Sequence, residues 1–138
     1  MIRLTVLFMA FFLSFSAYAE VKHIDNTALK QLLKKNIPII DIRRSEEWRQ
    51  TGIVPDSHLL TFFDKKGSYD TPKWLTELDK IAKKDQPFIL ICRTGNRTRT
   101  IANFLDKRVG YQQIYNVERG ISNWIKQKQP VVMPELKK

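Results

Sequence analysis

The hydrophobic positions of this chain follow two alternating spacings. Apolar residues recur every three to four positions, as on one face of a helix, near residues 28–33, 71–84, 98–108 and 120–128. Short runs of branched apolar residues, typical of buried strands, occupy residues 38–42, 87–91 and 113–117, and residues 58–63 hold a further short strand. Helices thus alternate with strands. This order predicts one α/β domain with a mainly parallel sheet, helices on both faces and a ligand site at the carboxyl ends of the strands.

The amino terminus departs from this alternation. Arg3 precedes an apolar run over residues 4–15, and Ala17-Tyr18-Ala19 forms a small-x-small cleavage site. We therefore predict a signal peptide over residues 1–19, a domain over residues 20–128 and a carboxyl-terminal tail over residues 129–138. The apolar run is shorter than the roughly 20 residues that span a bilayer, so we expect no stable membrane span after cleavage. The protein is predicted to be exported, and to be periplasmic if its source is a Gram-negative bacterium.

Charge and cysteine content narrow the chemistry. The formal net charge of +10 at pH 7 favours small anionic ligands. Nucleic acid is not expected as a partner, because the basic residues are spread over several segments and an exported protein rarely meets it. The chain has 1 cysteine, Cys92, which cannot form an intramolecular disulfide. Cys92 is therefore either a buried structural thiol or a reactive one.

The neighbours of Cys92 favour the reactive alternative. The residue follows the clearest buried strand and precedes a helix, so backbone N–H groups and the positive helix end are expected to face its sulfur. Arg93 and Arg97 add positive charge on either side, and together these features favour the thiolate. Gly95 gives the loop the conformational freedom to turn tightly.

Four segments of the chain resemble the rhodanese family. Cys92-Arg93-Thr94-Gly95-Asn96-Arg97 is similar to the family's active loop, Cys-x-x-Gly-x-Arg/Thr, and Thr98 supplies the hydroxyl residue that follows it. The other three segments, in the family's order, are Asp41-Ile42-Arg43 with Glu47-Trp48, then Gly52-Ile53-Val54-Pro55, then the stretch from Val117 to Trp124. Asp56-Ser57 and Arg119 depart from the family pattern, and these departures concern the fine conformation of the loops near the site, not the fold.

This resemblance implies a rhodanese-like three-layer fold with a central sheet of about five strands, and a thiosulfate sulfurtransferase activity. Cys92 would take a sulfane sulfur from a donor such as thiosulfate as a persulfide and pass it to cyanide or a thiol. The substrate-binding residues would be those of the loop after the cysteine: Arg93, Thr94, Gly95, Asn96, Arg97 and Thr98.

Other polar residues are given structural roles. Asp41 and Arg43 are expected to pair with each other or with Glu47 and to brace the loops beside the site. His23 and His58 are isolated in sequence and have no metal-ligand candidate at a suitable spacing, so we expect neither a metal site nor a cofactor.

Two alternatives stay open. A cysteine phosphatase also places its cysteine at a strand-to-helix loop, but its signature has an arginine six positions after the cysteine, where this chain has Thr98, and usually a histidine before it, where this chain has Ile91. The other alternative is a persulfide carrier or thiol-sensing module with little turnover. Because an exported compartment is oxidising, we expect Cys92 to be protected either by the persulfide itself or by a thiol-reducing partner, and a sulfur-accepting protein is a further candidate partner.

Overall fold

The computed structural model describes residues 20–135. The predicted signal peptide, residues 1–19, and the last three residues of the predicted tail lie outside this range. The strands of the described part are β1 (Lys22–Ile24), β2 (Ile39–Asp41), β3 (His58–Leu59), β4 (Phe88–Ile91) and β5 (Ile114–Val117). The α-helices are α1 (Asn26–Lys34), α2 (Ser45–Thr51), α3 (Thr71–Ile81), α4 (Asn96–Phe104) and α5 (Gly120–Lys126), and α4 continues into a wider π-helical turn, Leu105–Val109.

The five strands form one sheet in the order β1-β5-β4-β2-β3, and every neighbouring pair is parallel. β4 lies at the centre between β5 and β2. All residues of β2 and β4 are buried, which explains why both strands are continuous apolar runs up to Asp41 and Ile91. The carboxyl ends of β2, β4 and β5 therefore meet at one edge of the sheet.

Helices cover both faces of this sheet. On one face, α3 and α4 contribute Leu78 and Ile101 to the core, and on the other face α1 and α5 contribute Leu29 and Trp124. Each of these four helices buries the apolar stripe that its spacing predicted, because burying that stripe removes the most apolar area from water. The predicted α/β class, with a parallel sheet of about five strands and helices on both faces, is confirmed.

Two elements were not predicted from the sequence. The segment that contains α2 was given no element, because Trp48 is the only large apolar residue there and helical periodicity is absent. The start of α2 is instead stabilised locally: the Arg44 backbone N–H donates to Glu47 Oε2 at 3.1 Å. The other missed element, β1, is three residues long with one buried side chain, which is too short a pattern to recognise.

The predicted tail begins after α5 and turns back onto the domain. Val132 and Ile53 form an antiparallel bridge in which each N–H donates to the other residue's carbonyl oxygen at 2.9 Å. The tail thus contacts the segment that follows α2. Within residues 20–135, no helix is long and apolar enough to cross a membrane.

Two glycines bring the loops after β4 and β5 into close contact. Gly95 has φ +90°, and a Cβ there would overlap the carbonyl oxygen of Glu118. Gly120 has φ +59°, and a Cβ there would lie 2.6 Å from the carbonyl oxygen of Cys92. The start of α5 also holds the Cys92 loop directly, since Ile121 N–H donates to Cys92 O at 2.9 Å. The amino terminus of α5 therefore packs against the Cys92 loop and holds its backbone in place.

This close approach predicts that Gly120→Ala is more destabilising than a positive φ alone explains. Gly110→Ala is the matched control, because Gly110 also has a positive φ, +93°, but no atom lies within 4 Å of its added Cβ. We expect the control to lose about 1 kcal/mol of unfolding free energy from backbone strain. Gly120→Ala should lose about 1–3 kcal/mol more, because backbone atoms must move apart. Denaturant unfolding of both variants measures the difference, and equal losses would contradict the packing argument.

Candidate active site

The site is built where β4 ends. Cys92 is the first residue after this strand, and Gly95, in the left-handed conformation, turns the chain into α4 three residues later. Asp41 ends β2 and Asn116 lies on β5, so the strands on both sides of β4 contribute to the same edge. The sequence-based placement of Cys92 at a strand-to-helix junction on the carboxyl edge agrees with this geometry.

The Cys92 sulfur lies beneath the loop that follows it and is 1% exposed. Gly95 N–H donates a hydrogen bond to Sγ at 3.2 Å, and Thr98 Oγ1 lies 3.3 Å from Sγ. Within the described residues this is the only backbone N–H bonded to the sulfur, whereas the sequence analysis expected several. The N–H groups of Asn96, Arg97 and Thr98, the first three residues of α4, have no intrahelical acceptor.

A chain of hydrogen bonds leads from the sulfur through the interior. Thr98 Oγ1 donates to Asn116 Oδ1 at 2.5 Å, and Asn116 Nδ2 lies 3.0 Å from Nδ1 of His23. Thr98 and Asn116 are completely buried, whereas His23 is exposed on the edge strand β1. Sequence reasoning treated His23 as isolated and did not single out Asn116. The available signal was an asparagine inside an otherwise apolar strand. A buried amide requires a hydrogen-bond partner, so this position indicated a polar contact in the interior.

Arg97 forms a fork-to-fork ion pair with Glu47. Nη2 lies 2.7 Å from Oε1 and Nη1 lies 3.0 Å from Oε2, and the side chains are 27% and 13% exposed. Burial alone would raise the pKa of Glu47, but the hydrogen bonds from Arg97 and from the Arg44 N–H, with the two arginine charges, lower this pKa to about 2. Glu47 also raises the pKa of Arg97 through its hydrogen bond and charge. Both groups are therefore ionised at neutral pH, and their charges cancel.

Asp41 and Arg43 form a second ion pair, which is fully buried. Arg43 Nη2 lies 2.8 Å from Asp41 Oδ2, and Arg43 Nε donates to Asp41 Oδ1 at 3.0 Å. The other guanidinium protons reach the end of α2: Nη1 donates to Thr51 Oγ1 at 2.9 Å and Nη2 to Gly52 O at 3.0 Å. The structure thus pairs these residues with each other, and it pairs Glu47 with Arg97.

The other predicted loop residues lie on the surface. Arg93, Thr94 and Asn96 are exposed, and within residues 20–135 Arg93 takes part in no ion pair. The structure therefore brings Cys92 together with Gly95 and Thr98, whereas Arg93, Thr94 and Asn96 line the outside of the loop. No group of three or more histidine, cysteine or acidic side chains suited to a metal ion occurs in the described part of the chain.

Known proteins share both this sequence and this fold. The chain is 32% identical over 108 residues to the YtwF protein of Bacillus subtilis, a match that covers 76% of this chain and 91% of that one. It is 23% identical over 109 residues to the thiosulfate sulfurtransferase GlpE of Tolumonas auensis, covering 79% of this chain and 90% of GlpE. The crystal structure of a rhodanese-related protein from Thermoplasma volcanium superimposes with a TM-score of 0.61 at 26% identity, over 82% of this chain and 99% of that one.

The family comparison covers nearly the whole described domain. The family model of the rhodanese-like domain matches residues 25–127, a range that includes every helix and all strands but β1. It also contains the loop after β4 and both ion pairs. The relatives and the solved structure agree with this match in extent, so this chain, with Cys92 at the head of its loop, belongs to the rhodanese-like domain family.

Proposed function

We propose that the protein is a sulfurtransferase that carries sulfane sulfur as a persulfide on Cys92. Family membership and a sulfurtransferase relative support sulfur transfer in general. The observation that carries the specific proposal is the position of Sγ, which lies at the amino terminus of α4 and accepts a hydrogen bond from the Gly95 N–H. Such a position stabilises an anionic sulfur without a metal or cofactor.

The proposed reaction has two displacement steps. The Cys92 thiolate attacks the outer sulfur of thiosulfate, the new S–S bond forms, and sulfite departs with the electron pair of the bond that breaks. An acceptor nucleophile, cyanide or a thiolate, then attacks the outer sulfur of the persulfide, and the Cys92 thiolate departs with the electron pair. Cys92 returns to its starting state, so no redox cofactor is consumed.

Arg93 is the better candidate to bind the anionic donor. Its side chain is exposed beside the loop, where charge-assisted hydrogen bonds to sulfonate oxygens can form. Arg97 was predicted for the same role, but its charge is cancelled by Glu47, with which it shares two hydrogen bonds. We therefore propose that Arg97 chiefly holds α4 against α2, and that the donor's charge is met by Arg93 and by the loop N–H groups, including those of Thr94 and Asn96.

The burial of Cys92 favours one further candidate function. Because Cys92 is only 1% exposed, its sulfur is difficult for a bulky donor to reach unless the loop moves. A dedicated protein partner that displaces the loop would make the chain a persulfide carrier with little turnover on small donors. A thiol-reducing or sulfur-accepting protein is the partner that this role requires. Export through the predicted signal peptide would place the protein where such a partner must keep Cys92 from oxidation.

The persulfide mechanism predicts a mass change. Incubation of the purified protein with thiosulfate should add one sulfur, about 32 mass units, and cyanide should remove it with formation of thiocyanate. Intact-mass spectrometry and a thiocyanate assay measure the two half-reactions. Cys92→Ser should show neither change, because the nucleophile is absent.

Arg93→Gln is the variant that separates donor binding from chemistry. We expect it to raise the KM for thiosulfate by roughly tenfold, the effect of one lost charge-assisted hydrogen bond, while the thiol remains able to react with other reagents.

If the wild type gains no sulfur from thiosulfate although Cys92 is titrated as a free thiol, small-donor turnover is refuted and the carrier function takes its place.

The Glu47–Arg97 pair predicts an acid-sensitive contribution to stability. The pKa of Glu47 is about 2 in the folded protein against an ordinary value of 4.5. The pair therefore stabilises the fold fully above about pH 4.5, and this contribution is lost as the pH falls toward about 2. We expect about 1–2 kcal/mol, less than the full shift would give, because water partly screens the pair.

Denaturant unfolding of Glu47→Gln between about pH 5 and pH 2.5 tests this contribution. The variant should be less stable than the wild type at the upper pH, and the two curves should converge at the lower pH. Glu77→Gln is the control, since it removes a carboxylate from an exposed pair with Lys80. Parallel curves for the wild type and Glu47→Gln would contradict the prediction.

A further inference from the structure

The hydrogen-bond chain from Cys92 to His23 has two ends that differ in their access to water. At the inner end, Sγ and Thr98 Oγ1 are buried at 3.3 Å from each other. At the outer end, His23 is exposed on β1, in register with Asn116 on β5, so the two side chains point to the same face of the sheet. An exposed imidazole is therefore connected to the reacting sulfur by one buried amide and one buried hydroxyl.

We propose that His23 is a positioning residue that acts through Asn116 and Thr98 on the Cys92 sulfur, and that protonation of its imidazole favours the anionic form of that sulfur. This proposal rests on the proposed function in one respect: it takes Cys92 as the reacting group. It concerns the ease with which the thiol ionises and reacts, whatever the sulfur donor.

The structure shows one of two directions that this chain can take. Asn116 Nδ2 donates to His23 Nδ1, which must then be unprotonated, and Asn116 Oδ1 accepts the Thr98 hydroxyl proton at 2.5 Å. The hydroxyl has one proton to donate, so toward Sγ it can act only as an acceptor. An acceptor at 3.3 Å favours the protonated thiol of Cys92.

Protonation of His23 reverses the direction. An imidazolium carries a proton on both ring nitrogens, so Nδ1 becomes a donor and requires an acceptor. A half-turn of the Asn116 amide presents Oδ1 to His23 and Nδ2 to Thr98 Oγ1. The hydroxyl proton is then free to donate to sulfur, and it prefers a sulfur anion to the carbonyl oxygen of Gly95 because charge-assisted hydrogen bonds are the stronger ones.

The charged groups around His23 do not replace this connection. On its own strand, alternation puts Lys22 on the opposite face, where its Nζ lies 5.6 Å from the ring centre of Tyr115 on β5. Beyond the strands, Asp25 caps α1 through Ala28 N–H. Other charged groups on the neighbouring elements are exposed or already paired: Lys30 and Lys34 on α1, Glu118 and Arg119 after β5, and Arg99 on α4 are exposed, and Arg97 is paired with Glu47. Among the described residues, Asn116 is the hydrogen-bond partner of the imidazole.

The test is the pH dependence of Cys92 alkylation by iodoacetamide, an uncharged probe that needs no sulfur donor. At about pH 6, where imidazoles are largely protonated, we expect His23→Gln to react about fivefold more slowly than the wild type, a coupling at the low end of the usual range. At about pH 9 the imidazole is neutral and the two rates should agree. His58→Gln is the matched control, because His58 is the other histidine and lies on β3 at the opposite edge of the sheet.

A double-mutant cycle separates the hydrogen-bond chain from a long-range charge effect. In the Thr98→Val background the chain is broken, so adding His23→Gln should change the rate at about pH 6 by less than a factor of two. Thr98→Ser keeps the hydroxyl and should keep the full effect of His23→Gln. Equal rates for the wild type and His23→Gln, an equal decrease in His58→Gln, or an undiminished effect of His23→Gln in the Thr98→Val background would each overturn the proposal. Absence of sulfur transfer would refute the proposed function and leave this test intact.

Discussion

Arg43 is a cation with almost no access to water, and its burial constrains the edge of the sheet on which the site is built. An unpaired guanidinium in this place would be strongly destabilising, so the chain must supply an acceptor for each of its protons. Asp41, at the end of β2, supplies the charge, and Thr51 and Gly52, at the end of α2, supply neutral oxygens. The pair therefore holds the end of β2 to the end of α2. Breaking it would leave a buried charge beside the loop that carries Cys92.

The position of the reactive loop follows from this arrangement. β2 and β4 are neighbours in the sheet, and Ile42 N–H donates to Ile91 O at 3.1 Å just before Cys92. From the other side, Gly120 allows α5 to lie against the loop, and Ile121 N–H bonds to Cys92 O. β2 thus holds the end of β4 from one side and α5 holds the Cys92 backbone from the other, and these backbone contacts do not depend on the side chains of the loop.

Local pattern was sufficient to predict most of the fold. α1, α3 and β4 have strong periodicity, good capping residues or a continuous apolar run, and each is close to its predicted place. α2 has neither periodicity nor a capping residue that the sequence makes recognisable. It is stabilised instead by the contact between Arg44 and Glu47 and by contacts with residues distant in sequence. The cysteine and its loop were recognisable because their chemistry is local. The Glu47–Arg97 pair joins residues 50 positions apart and the His23–Asn116 contact joins residues 93 positions apart, so spacing along the chain could not predict either partner.

These distant pairs change the electrostatic account of the site. Sequence alone suggested that Arg93 and Arg97 stabilise the anionic sulfur, yet Arg97 is neutralised by Glu47 and Arg93 is exposed on the outside of the loop. Dipoles remain: the Gly95 N–H, the amino terminus of α4 and, when its proton is turned toward the sulfur, the Thr98 hydroxyl. The stabilisation that a dipole gives to an anionic sulfur depends on its direction more than on its distance. A loop that fixes these directions therefore stabilises the anion more than additional positive charge would. Of these dipoles, the Thr98 hydroxyl is the one that can reverse its direction without movement of the backbone. Control of the sulfur's reactivity is therefore expected to act through this hydroxyl.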